Sequence, residues 1–233
     1  MIRAVLFDLD DTLFDHHRSA RAALQEVHRA HASQFDFAAF ERHHTRYLEE
    51  MHLEVLARRV GLDDARRERF RKVFEALGVA LGPTQVDAVA SAYRDGYMLA
   101  RRPLEGAADL LGIIKASARV VIVTNNLLDE QQDKLEYCGL ATFVDVLVAS
   151  ENVGVSKPQR GIFDIALESA GVAADSAVMI GDSWANDIVG ARNAEIPAIW
   201  FNPERKTRPE PLANVREIHS LTPAADIARI VLS

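Results

Sequence analysis

Apolar residues along the chain follow two rhythms. Five short, uninterrupted runs have the length and β-branched content of buried strands: Ala4–Phe7, 120–123, 144–148, 177–180 and Ala198–Phe201. Between the later runs the apolar period becomes that of a helix. Segment 104–116 precedes the second run, 128–138 follows it, and 159–170 follows the third and stops at Gly171, a residue type that ends helices. Ile162, Phe163, Ala166, Leu167 and Ala170 share one helical face. Strand alternating with helix predicts an α/β fold, a doubly wound parallel sheet covered on both sides.

Residues 16–102 break that alternation and contain no strand-like run. Ala20, Ala23, Leu24 and Val27 repeat at helical spacing, as do Phe70, Val73, Phe74 and Leu77, and Val86, Val89, Ala90, Tyr93 and Tyr97. The pattern predicts a bundle of about four helices inserted after the first strand. The core is then 1–15 plus 103–233, and the insert 16–102. The polar, proline-bearing stretch 202–211 reads as a loop and 223–232 as a closing helix.

Composition adds a few constraints. The chain is 48% hydrophobic and 26% charged, as a globular core requires. Its net charge of −7, from 27 basic and 34 acidic residues, argues against a nucleic acid polymer as partner. An anionic substrate would need locally gathered cations or a metal. The single cysteine, Cys138, permits no intrachain disulfide and is expected to be a small buried residue rather than a nucleophile. No stretch approaches the ~20 apolar residues of a membrane span, and Asp8 follows Met1 too soon for a signal peptide. The expectation is a cytoplasmic protein, monomer or homodimer, with no membrane partner.

Ligands of open parallel sheets sit beyond the carboxyl ends of the strands. The first run is followed by Asp8-Leu9-Asp10-Asp11-Thr12 and the second by Thr124-Asn125-Asn126. Lys157-Pro158 lies beyond the third. Gly181-Asp182-Ser183 follows the fourth, with Asn186 and Asp187 a turn later. Carboxylates crowded on one edge call for a cation, and hard oxygen ligands suit Mg²⁺. Asp8 and Asp182 are the candidate direct ligands, Asp10 adds its backbone carbonyl, and Asp187 supports the bound waters. Phosphoryl transfer is chemistry such a set can perform. In such chemistry an Asp carboxylate can be the nucleophile, with Asp8 and Asp10 the candidates for nucleophile and for the second carboxyl that acts as acid then base, and Lys157, Thr124 and Asn125 are candidates to bind the phosphoryl oxygens.

The Asp8-x-Asp10-x-Thr12 motif, Thr124, Lys157-Pro158 and Gly181-Asp182-Ser183…Asn186-Asp187 stand in the order of the haloacid dehalogenase (HAD) superfamily, whose phosphatase branch the chain resembles. The resemblance implies a Rossmann-like core, a type-1 α-helical cap, Mg²⁺ and a phosphoaspartyl intermediate on Asp8. Asn126 stands where many relatives carry Gly. The stretch Ser150-Glu151-x-x-Gly154-Val155-x-Lys157-Pro158 and the Trp200-Phe201-Asn202-Pro203 ending resemble pyrimidine 5′-nucleotidase-like members. A small phosphorylated metabolite, a nucleoside 5′-monophosphate first, is the expected substrate. Within the superfamily, a 2-haloacid dehalogenase needs no leaving-group proton and no metal, against Asp10 and Asp182. A phosphonate hydrolase needs a reactive lysine in the insert, where only Lys72 stands. A sugar phosphomutase shares the motifs. A phosphoacceptor signalling domain gathers similar residues in a shorter chain without an insert.

The insert holds seven of the eight histidines. His44 shares a helical face with Phe40, Tyr47 and Met51 and is expected to pack. His16 and His17, just after the first motif, and Arg101 and Arg102, near the return to the core, are candidates to contact substrate. Phe14, Tyr93 and Tyr97 are candidates to stack on a base, the last two more naturally as packing residues.

Overall fold

Runs rich in Val and Ile form the sheet. The computed structural model describes residues 1–210, 212 and 214–233. Its strands β1 (Ala4–Phe7), β2 (Arg119–Thr124), β3 (Val146–Ala149), β4 (Ala177–Gly181), β5 (Ala198–Phe201) and β6 (Arg216–Ile218) join in the order β3-β2-β1-β4-β5-β6, every neighbouring pair parallel. Helices α1 (His16–His31), α2 (Phe37–Leu56), α3 (Leu62–Ala76) and α4 (Pro83–Ala100) lie between β1 and β2 in the chain. The others are α5 (Ala107–Lys115), α6 (Leu128–Tyr137), α7 (Ser150–Val153), α8 (Arg160–Ala170), α9 (Gly190–Asn193) and α10 (Ala224–Leu232).

Three expectations need correction. The third strand begins at Val146 rather than residue 144, because a 3₁₀ turn over Ala141–Phe143 carries the chain to Val144. β6 was not anticipated: its sequence, Arg-Glu-Ile, has no apolar run, as suits a short edge strand. The expected loop is irregular from 202 to 210, and Pro211 lies outside the described residues. Cys138, expected to be buried, is half-buried just past α6.

Residues Met1–Asp15 with Arg102–Ser233 form one compact unit, and His16–Arg101 another. In the first, β1 and β4 are wholly buried. Leu6, Val121, Val123 and Met179 share a core with Ile162, Phe163 and Ala166 of α8. Each of the larger of these side chains contributes about 1.5–3 kcal/mol on burial, so apolar packing positions the strands and frees their ends for costlier polar groups. The insert's exit and return are stitched together within this unit. Asp15 N–H donates to Arg102 O, Leu104 N–H to Leu13 O, and Arg102 forms an ion pair with Asp15 at 2.6 Å.

In the helical unit α1 packs along α4 and α2 along α3. Gly96 permits the first approach: a Cβ there would lie 3.3 Å from Ala23 Cα. His44 is buried with its ring centroid 5.0 Å from Tyr93 and 5.5 Å from Phe70. Burial, with Arg69 and His16 nearby, holds its pKa well below the ordinary histidine value, so it packs as a neutral ring. Tyr93 and Tyr97 stack on each other inside this bundle. Among the described residues, no helix is long and apolar enough to cross a membrane.

Candidate active site

β1 is central, and its end carries the site. Asp8 N–H extends the ladder by donating to Ile180 O at 2.9 Å. The chain then turns through Asp11, a non-glycine residue in the left-handed region at φ 62°. This turn buries Thr12 completely. Its hydroxyl oxygen accepts from Asp182 N–H at 3.1 Å and its proton faces Asp8 Oδ2 at 3.2 Å, tying the ends of β1 and β4 together.

Lys157 reaches the same point from the loop after α7. It is 4% exposed, and its ammonium donates to Asp8 Oδ1 at 2.6 Å and Asp187 Oδ1 at 2.7 Å. Burial alone would lower its pKa, but the Asp187 and Asp8 carboxylates more than offset this and hold it above the ordinary lysine value. Asn125 fixes the loop: its amide donates to Lys157 O at 2.8 Å and accepts from Lys157 N–H at 2.7 Å. Both ends of that side chain are therefore engaged, which leaves the expected substrate contact of Asn125 to its backbone.

Asp187 sits in a π-helical turn, Trp184–Val189, whose start is capped by the Ser183 hydroxyl. Its second oxygen accepts from Ser183 N–H at 2.9 Å. Gly181 makes this possible, since a Cβ there would fall 2.3 Å from Asp187 Oδ2. The carbonyl of Asp182 accepts from Trp200 Nε1 at 2.8 Å.

Asp10 lines the same cavity as Asp8 and is held from α6 and the loop before it. Lys134 Nζ donates to its Oδ1 at 2.6 Å, while Asn126 Nδ2 at 3.2 Å and Gln131 Nε2 at 3.0 Å donate to its Oδ2. Gln131 Nε2 also donates to Thr124 Oγ1 at 2.6 Å. Asn126, at the position where many relatives carry Gly, is thus a donor to Asp10.

The electrostatics are those of crowded anions. Burial pushes the Asp8 carboxyl well above its ordinary value, against the pull of Lys157, and Asp187 and Asp182 add to the push. Burial, then the Asp187 and Asp11 carboxylates, raises Asp182 to about 7. Asp8, Asp182 and Asp187 offer carboxylate oxygens within 4.8 Å of one another, a group that could hold a metal ion. All-oxygen donors whose mutual repulsion a cation would relieve fit a hard divalent ion.

Asp8, Asp10, Thr124, Asn125, Lys157, Asp182 and Asp187 all line one cavity of about 170 Å³, with Ser183 and Asn186. Phe14 does not join them: it is completely buried, with the Lys134 ammonium 5.1 Å from its ring centre, so it offers no face to a base. Arg102 is committed to Asp15. Sequence reasoning assigned no role to Thr12, Asn126, Gln131 or Lys134. One signal was present. Leu128, Gln131 and Leu135 fall on one stripe of α6, and a glutamine on that stripe is a polar residue at a core position.

A parallel sheet with carboxylates, a lysine and a hydroxyl around one cavity at the ends of its central strands defines an α/β enzyme with hydrolytic chemistry within reach. The haloacid dehalogenase-like hydrolase profile matches residues 2–195. Pyrimidine 5′-nucleotidase YjjG of Escherichia coli (strain K12) is 43% identical over 120 residues, 51% of this chain and 53%, about half, of that protein. Pyrimidine 5′-nucleotidase PynA of Streptococcus pneumoniae (strain ATCC BAA-255 / R6) is 27% identical over 95% of this chain and 94% of its own. The HAD-hydrolase YfnB of Bacillus subtilis, solved bound to magnesium, superposes with a TM-score of 0.76 at 22% identity, covering 99% of this chain and 98% of that one, a likeness of fold. Other relatives include phosphatases named for phosphoserine and glyceraldehyde 3-phosphate. The chain belongs to the haloacid dehalogenase-like hydrolase family.

Proposed function

We propose that this chain is a magnesium-dependent phosphoric monoester hydrolase working through a phosphoaspartyl intermediate on Asp8. The observation that carries the reading is the single cavity lined by Asp8, Asp10, Thr124, Lys157, Asp182 and Asp187. Asp8 and Asp182 would hold the magnesium, with the Asp10 backbone carbonyl, and Asp187 would support the site. When bound, the metal screens these carboxylates and withdraws charge from the phosphoryl oxygens.

A carboxylate oxygen of Asp8 attacks phosphorus in line and the bond to the ester oxygen breaks, while Asp10 passes its proton to the departing alkoxide. Asp10, now ionised, takes a proton from water as that water attacks phosphorus. The bond to Asp8 breaks, inorganic phosphate leaves, and both carboxyls return to their starting states. Lys157 and the Thr124 hydroxyl bind the equatorial oxygens, and Lys157 is kept charged by Asp8 and Asp187. Asn125 keeps the Lys157 loop in place. The protein acts on small phosphorylated metabolites, not on nucleic acid polymers.

Nucleoside 5′-monophosphates, pyrimidine ones first, are the leading substrate class, supported by the YjjG and PynA relatives. Phosphate release from nucleotides, sugar phosphates and short-chain phosphates with Mg²⁺ tests this. Pyrimidine nucleotides should rank highest in kcat/KM. If every nucleotide ranks well below a sugar or glycolytic phosphate, the nucleotidase reading is wrong and the phosphatase reading stands. Release of chloride from a 2-haloacid without metal would overturn both.

A further inference from the structure

The buried polar groups on α6 fall outside the steps above. Gln131 is fully buried and Lys134 is 4% exposed, one helical turn apart on the same face. The Lys134 ammonium lies against the Phe14 ring and ends on Asp10 Oδ1; the two amide hydrogens of Gln131 point to Asp10 Oδ2 and Thr124 Oγ1. With Asn126, three donors define the plane of the Asp10 carboxylate.

The orientation of Gln131 carries the argument. Its carbonyl Oε1 is buried without a hydrogen-bond partner. As placed, the NH₂ group faces Asp10 Oδ2, an arrangement that suits the ionised carboxylate left once Asp10 has given up its proton. Leaving that carbonyl unpaired is costly, so the side chain is held in place by its two donor contacts rather than by its acceptor. Because Nε2 is a pure donor, the Thr124 oxygen must accept, which turns the Thr124 hydroxyl proton away from Gln131, free to be donated elsewhere. One helix therefore orients both the proton-transfer carboxyl and the phosphate-binding hydroxyl.

We propose that Lys134 and Gln131 are positioning residues that act through Asp10 and Thr124, an inference that rests on the acid–base reading of Asp10. Lys134 stabilises the Asp10 carboxylate that forms as the proton passes to the leaving oxygen, so its removal must hurt poor leaving groups most. Gln131 couples that geometry to the phosphate clamp.

The test compares kcat/KM for p-nitrophenyl phosphate, whose leaving group needs little protonation, with that for phenyl phosphate, whose leaving group needs more. kcat/KM reports through the first irreversible step and so isolates leaving-group departure from phosphoenzyme hydrolysis. Asp10→Asn is the control. Lys134→Met should lower phenyl phosphate turnover by roughly 10–100-fold and p-nitrophenyl phosphate turnover by less than about threefold, within what a general acid contributes. In the Asp10→Asn background Lys134→Met should add little, since the pair acts as a unit. Gln131→Met, which removes the unpaired carbonyl, should fold at least as stably as the parent by thermal melt and still raise KM for both esters through Thr124. An equal loss on both esters for Lys134→Met, beside a selective loss for Asp10→Asn, overturns the inference and leaves the Asp10 reading intact. An equal loss for Asp10→Asn overturns that reading and the inference with it. Wild-type kinetics from Gln131→Met also overturn the proposal for that residue.

Discussion

The two units use charged residues in opposite ways. In the helical unit, arginines meet acids on the surface: Arg59 with Glu54 at 2.6 Å, Arg67 with Asp87 at 2.7 Å, and Arg71 with Glu68 and Glu75. Most of these side chains are well exposed, and such pairs are screened and add little. In the α/β unit, Lys157 is caught between Asp8 and Asp187, and Lys134 ends on Asp10, with both lysines almost wholly buried. Removing one partner there strands an uncompensated charge, at a cost of about 3–5 kcal/mol for a buried pair. A similar inventory of acids and bases is thus a solvated surface in one unit and a buried, convergent cluster in the other. Burial and convergence make the difference.

The largest effect expected from breaking the second arrangement is at Asp8. Asp8→Asn should cut kcat by at least about 10⁴-fold while circular dichroism stays unchanged, because an amide is a poor nucleophile. Ordinary turnover by this variant would sink the mechanism. Asp10→Asn should keep part of the phosphoenzyme formation from activated aryl phosphates, seen as a burst of nitrophenolate.

Next in size is the metal dependence. Chelation with EDTA should abolish activity and added Mg²⁺ restore it, while Ca²⁺ should inhibit through its looser, higher coordination. Phosphate release undiminished in EDTA would remove magnesium from the site.

A smaller effect should appear in the pH dependence of stability. Asp182 rises to about 7 in the folded chain, against about 3.9 for an unperturbed aspartate. Between those values the folded state keeps a proton that the unfolded state has lost, so stability falls as pH rises through that window. The raised Asp8 acts in the same direction, whereas the raised Lys157 acts only as pH nears the ordinary lysine value. The metal-free Tm should therefore drop from pH 5 to pH 7.5, and Mg²⁺ should raise it more at pH 7.5, where protons no longer compete for the ligands. A Mg²⁺-induced shift that is larger at pH 5 would contradict this.

The smallest effect is expected in the helical unit. Arg67→Ala should move the Tm by about 1 °C or less, less still in high salt, and leave kcat/KM unchanged. A large, salt-independent loss would erase the contrast between the units.

Much of this was legible along the chain, for local reasons. Ala4–Phe7 and Ala198–Phe201 are strands at the residues their apolar runs mark, because a strand buried on both faces tolerates little else. Asp8, Thr124 and Asp182 stand at or just past strand ends, and period alone says where a strand stops. His44 packs because its helical face is apolar. β6 escaped notice because an edge strand of Arg-Glu-Ile needs no hydrophobic run.

What the chain's periodicity could not contain is which side chains meet. Thr12 reaches Asp182 across 170 positions because the fold seats β4 beside β1. Lys134 reaches Asp10 across 124 because β2 and the helix after it stand on the other side. Gly181 reads as an ordinary strand-ending glycine until Asp187 is found where its Cβ would be. Local pattern is set by each residue's own turn or pleat, whereas these contacts depend on strand order and on single-ångström distances, which only the packed chain supplies.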